Sequence, residues 1–112
     1  MATQVNKHVF PLFLDAAPET IVAAGDLPVT TSFIKLEPAS GDVAYDVPDG
    51  TIPGQILVCF NNSSNDSNIT ITTPLDADAA DIKLDNLGNT CTLMWNGSAW
   101  AVLNGIGATS LT

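Results

Sequence analysis

From Val29 to Leu103 the chain alternates apolar and polar residues in short runs, with the two-residue period of strands that bury one face. V-T-T-S-F-I-K-L, beginning at Val29, is rich in β-branched and aromatic residues. Asp42 to Val47 alternates cleanly, with Val43, Tyr45 and Val47 on one side and Asp42, Ala44 and Asp46 on the other. Gln55 to Phe60 carries five apolar residues in succession and reads as a strand covered on both faces. Asn68 to Thr73 returns to alternation, with Ile69 and Ile71 inward. Between these runs, Pro48-Asp49-Gly50 and Pro53-Gly54 read as turns, Pro setting φ and Gly accepting a positive φ. Asn61 to Asn68 reads as a polar loop with no side chain to pack.

The firmest local signal is the stretch from Thr90 to Leu103. Asn96-Gly97 is the preferred pair for a two-residue type I′ hairpin turn. That turn pairs Leu93 with Trp100 and Cys91 with Val102. A four-residue loop over Asn96 to Ala99 instead sets Trp95 opposite Trp100. Either way Leu93, Trp95, Trp100 and Val102 share one face and form the expected hairpin core. Seven or so short strands with turn signals every ~8–12 residues predict an all-β fold. The expected form is a single small β-sandwich or barrel-like domain of short antiparallel strands.

Residues 1–28 are patterned differently. Pro11, Pro18, Gly25 and Pro28 cut them into short pieces, and Ala16 to Ala24 is compatible with one helical turn begun at Pro18. Val9, Phe10, Leu12, Phe13 and Leu14 crowd five apolar side chains into six positions, more than one face of an edge strand can bury. Pro11 also removes a backbone donor, which disfavours a central strand. Two readings stay open: a first strand lying on the domain, or an extended arm that grips a partner by adding to its sheet edge. The chain thus divides into an arm or first strand (1–28), a β-domain (29–105) and a C-terminal tail (106–112).

Charge narrows the function classes. Three Lys+Arg stand against twelve Asp+Glu, a formal net charge of −9, and none of the three is an arginine. Such a chain is poorly suited to nucleic acid or to anionic membrane surfaces, both of which require basic residues. Only 13% of residues are charged while 46% are hydrophobic, so part of the apolar surface is expected to be covered by partners. The apolar run after Lys7 is short and broken by Pro11, and is not read as a targeting segment.

Candidate chemistry is sparse. The single histidine is His8, and no nucleophile–base–orienter set can be assembled around it. Asp76, Asp78 and Asp81 are closely spaced, but lack the glycine and bidentate glutamate of a calcium loop. No catalytic residue, metal or cofactor is therefore expected. Cys59 and Cys91 both fall in apolar strands, as buried thiols or as a disulfide across neighbouring strands.

Four segments carry a family resemblance: G-D-V-A-Y-D-V-P-D-G-T-I-P-G-Q-I-L-V (Gly41 to Val58), N-I-T-I-T-T-P (Asn68 to Pro74), D-I-K-L-D-N-L-G (Asp81 to Gly88) and T-L-M-W-N-G-S-A-W-A-V-L (Thr92 to Leu103). Together they resemble a β-module of tailed-bacteriophage structural proteins, found in capsid decoration (cement) proteins and in tail-fibre domains, generally as trimers. The resemblance implies a non-enzymatic virion protein on the capsid surface, assembled in the host cytoplasm. It would be a homotrimer whose partner is the major capsid protein; the resemblance assigns no single residues, and the expected grip through Val9, Phe10, Leu12, Phe13 and Leu14 comes from the apolar run itself. The alternative is a tail-fibre or receptor-binding tip recognising a host-surface carbohydrate or protein, with Trp95, Trp100 and Tyr45 as candidate stacking residues. A tail fibre usually carries an attachment domain and a shaft as well, and the sequence shows neither.

Overall fold

A computed structural model describes residues 19–107 and 109–110. The proposed grip residues Val9, Phe10, Leu12, Phe13 and Leu14 lie outside the described residues. Among the described residues, ten strands form two five-stranded sheets: β1 (Glu19–Ile21), β2 (Gly25–Asp26), β3 (Phe33–Leu36), β4 (Asp42–Val47), β5 (Gln55–Asn61), β6 (Asp66–Ile71), β7 (Asp81–Leu84), β8 (Thr90–Trp95), β9 (Trp100–Ile106) and β10 (Thr109–Ser110). Sheet A has the order β1-β3-β5-β8-β9 and sheet B the order β10-β7-β6-β4-β2. A three-residue 3-10 turn, Ala77–Ala79, is the only helical piece among the described residues. The all-β reading of the pattern is the observed architecture.

The expectation of antiparallel strands is corrected. The first six strands alternate between the sheets, so β1, β3 and β5 pair in parallel in sheet A, and β2, β4 and β6 in parallel in sheet B. Only β7 to β10 add antiparallel pairs. The alternation of a strand specifies which side chains are buried but not the direction of its neighbour, so sequence pattern could not distinguish the two.

Two boundaries also move. Glu19–Ile21 is a strand rather than a helical turn, and it and Gly25–Asp26 lie on opposite sheets. Leu27, grouped by sequence with the arm, is buried in the core. At the other end β9 runs to Ile106, and Gly107, at φ 72°, precedes β10, which pairs with β7 in sheet B. Ile106 and Thr109–Ser110 are therefore strand residues rather than tail.

The core lies between the sheets. Ile34, Leu36, Leu57, Cys59, Cys91 and Leu93 descend from sheet A onto Tyr45, Val47, Ile69, Ile71, Ile82 and Leu84 of sheet B. Strand β5 is buried on one face only, since Ile56, Val58 and Phe60 are half-buried on the other. The continuous apolar run thus marks a strand with a second apolar face that the described fold leaves partly open.

The hairpin takes the longer of its two readings. Trp95 pairs with Trp100 and Leu93 with Val102, and the extra residue Leu103 makes a bulge before Asn104 meets Thr92. Among the described residues no non-glycine residue has a positive φ, so Asn96 cannot hold the first position of a type I′ turn. Its side chain accepts hydrogen bonds from the backbone N–H groups of Ser98 and Ala99, both at 2.8 Å, and closes the four-residue loop. Leu93 and Trp100 are fully buried, Trp95 nearly so, and Val102 packs against the same cluster.

Candidate functional site

The side chains with chemical potential are mostly committed to structure. Trp95 and Trp100 meet at 5.5 Å between ring centroids with planes tilted by 59°. Trp100 donates from Nε1 to the Pro48 carbonyl at 2.8 Å. Tyr45 donates to the Val22 carbonyl at 2.9 Å, and burial raises its phenol pKa. Tyr45 and Trp100 have no exposed surface and Trp95 has 6%, so none presents a ring for stacking on a sugar. Gly50 does not show the positive φ expected of its turn; a Cβ there would run into the Trp95 ring.

The aspartates are structural too. Asp76 caps the 3-10 turn by accepting from the Asp78 N–H at 3.0 Å, and Asp81 accepts from the Thr70 hydroxyl at 2.8 Å. Among the described residues no group of three or more His, Cys, Asp or Glu is placed to hold a metal. Cys59 and Cys91 are unbonded thiols, fully buried and directly opposite in the β5–β8 ladder. A hydrogen bond between the two side chains, reinforced by burial, pushes the Cys59 thiol well above its usual range.

Sequence pattern missed the polar centre of the fold. Asn61, assigned above to a loop with nothing to pack, is fully buried at the end of β5. Its Nδ2 lies within 2.9–3.2 Å of the carbonyls of Ser63, Asn65, Leu84 and Asn86. Its Oδ1 accepts from the buried Ser67 hydroxyl at 3.0 Å. One amide thus ties the β5–β6 connection to the β7–β8 connection. The only available signal was an asparagine closing an apolar run, and that is also how a loop begins.

Three surfaces remain as candidates. The first is an open cleft of about 620 Å³ between residues 29–32 and 51–56, bridged by Gln55. Gln55 donates to the Val29 carbonyl and accepts from the Thr51 N–H at 2.9 Å, so the amide is committed to fixing the two loops. No charged side chain lines this cleft.

The other two are the outer sheet faces, and they differ in kind. Outward on sheet B stand Asp26, Asp42, Asp46, Asp66, Asp81 and Asp85, with Lys83 among them. Lys83 pairs with Asp66 at 3.0 Å; its hydrogen bond, with one shared with Asp42, holds the Asp66 carboxyl below its usual range. The same contact raises Lys83. Outward on sheet A stand Phe33, Ile56, Val58, Phe60, Met94 and Ala101, all half-buried. The charges on that face, Lys35 and Glu37, pair with each other at 3.6 Å.

No family model matches the chain, and no curated protein matches it either.

Proposed function

We propose that this chain is a non-enzymatic structural protein of a tailed-phage virion, a capsid decoration protein that seats on the head as a homotrimer and contacts the major capsid protein. The observation that carries the reading is the division of the sandwich into an apolar and an acidic outer face. A domain of this kind has one side suited to assembly and one suited to solvent. The four segments that resemble phage structural modules supply the virion context. Burial of Trp95, Trp100 and Tyr45 weighs against the fibre-tip alternative, because the aromatic rings it would use are engaged in the core.

Purified protein added to undecorated heads tests the reading. It is expected to bind in a copy number comparable to the capsid subunit and to raise the temperature at which heads rupture. Removing residues 2–14 is expected to leave the melting of the β-domain nearly unchanged while abolishing attachment, since the apolar run Val9 to Leu14 is the proposed grip. No association with heads, together with binding of the purified protein to host cells, would replace this reading by the receptor-binding one.

A further inference from the structure

We infer that the outer face of sheet A is the surface on which a second copy of this chain docks. The inference deepens the reading above by naming the face through which copies meet, and it rests on that reading for the homotrimer.

Strand register makes this surface continuous. Phe33 lies beside Val58, which lies beside Thr92, and Ile56 lies beside Met94, which lies beside Ala101. Phe60 sits between Lys35 and Thr90, and Leu103, 51% exposed at the β9 bulge, carries the apolar surface to the edge of the sheet. A solvent-facing antiparallel or mixed sheet normally alternates apolar-in with polar-out. Strands β4, β6 and β7 of sheet B obey that rule, and β3, β5 and β8 of sheet A place hydrophobics on both sides.

Charge selects the occupant. With a formal net charge of −9, copies of this chain repel one another unless their carboxylates are kept apart. The outer face of sheet B, with six aspartates against one lysine, is closed to self-association. The outer face of sheet A has no net charge, because Lys35 is matched by Glu37. Packing three copies with their sheet A faces turned toward a common axis points the acidic faces outward, away from one another. Around that axis each copy's apolar face meets those of its two neighbours, which are of matching chemistry and strand spacing.

Sedimentation of the full chain over a wide concentration range tests the inference, using the unmodified protein, Val58→Glu at the centre of the face, and Ala44→Glu, at an exposed outward position of sheet B opposite Asn68, as control. The unmodified protein and Ala44→Glu are expected to assemble. Val58→Glu is expected to weaken association by about a hundredfold or more, because a carboxylate would be buried without a partner. Assembly undiminished in Val58→Glu would overturn the inference while leaving the homotrimer standing on another surface. A protein monomeric at every concentration would also overturn it, and binding to heads would then judge the decoration reading separately. If removal of residues 2–14 converts a monomer into an assembling protein, the face belongs to the chain's own Val9–Leu14 segment. Hydroxyl-radical footprinting of the unmodified protein keeps the test independent of any folding defect. Phe60 and Met94 are expected to be protected at high concentration and labelled on dilution, and equal labelling throughout would overturn the inference.

Discussion

Replacing Asn61 by alanine removes an amide whose Nδ2 lies against four carbonyls and whose Oδ1 receives a buried hydroxyl. The Leu84 carbonyl and the Ser67 hydroxyl would lose a buried partner, each at a cost of about 1–3 kcal/mol where water cannot reach, while the part-buried carbonyls of Ser63, Asn65 and Asn86 lose less. Asn61→Ala is expected to lower unfolding stability by about 3 kcal/mol, read from urea denaturation, with the slope unchanged. A loss below about 1 kcal/mol would show that water satisfies the carbonyls. The Asp66–Lys83 pair acts at the same scale but responds to acid and base. Asp66 is depressed in the folded protein, so its contribution is complete above the ordinary carboxylate range and fades as pH falls through and below it. Lys83 is raised, so its contribution holds through neutral pH and is lost as pH rises beyond the usual lysine range. Melting temperatures of the parent and Asp66→Asn are expected to differ near pH 6 and to converge toward pH 2. A constant difference across that range would assign the effect to packing.

Strands and hairpins set the next scale. Trp100 is the largest fully buried side chain among the described residues, packed at a tilt against Trp95 and tied to Pro48, so it joins the β8–β9 hairpin to the end of β4. Trp100→Ala is expected to cost about 3–5 kcal/mol in thermal or chemical denaturation. Trp100→Phe keeps much of the ring but loses the bond to the Pro48 carbonyl, and a loss of about 1–3 kcal/mol is expected. Equal losses for both would mean that the hydrogen bond outweighs the packing. What the sequence revealed at this scale follows from the same physics. Period-two alternation identified β4 and β6 and their buried sides, because only one arrangement of Tyr45, Val47, Ile69 and Ile71 hides them. Hairpin register was left between two loop lengths, because Asn96 could bend the chain either by its own φ or by its side chain. Asn61 and Gly50 were illegible for a different reason. Each is fixed by groups distant in sequence, Leu84 and Asn86 for one and the Trp95 ring for the other. The apolar run in β5 was legible as doubly apolar, but whether core or partner covers its second side depends on neighbours that local pattern does not specify.

At the scale of the molecule, the outward aspartates and the half-buried outward hydrophobics are sorted onto opposite sides of one sandwich, although they are interspersed along the chain. The sorting follows from the winding of the first six strands, each coil giving one strand to sheet A and the next to sheet B. That winding also has a kinetic consequence. No two consecutive strands pair until β6 meets β7, so a nascent chain ending before Asp81 holds no completed hairpin. Its parallel partners must be brought together across an intervening strand, with the loop-closure entropy that this entails. The two hairpins from Asp66 to Ile106 are the segments whose closure is local. They are expected to lead folding, with β1 to β4 laid down last even though a ribosome makes them first. Pulsed hydrogen exchange during refolding should then protect β8 and β9 before β3 and β4, and the reverse order would refute this. A chain stalled at residue 65 would hold β1 to β5, whose pairings are all parallel and non-local, and would lack the antiparallel strands that complete both sheets. For this fold, the time between synthesis of the first strand and release of the last is an interval in which apolar strand faces wait for the hairpins that complete each sheet.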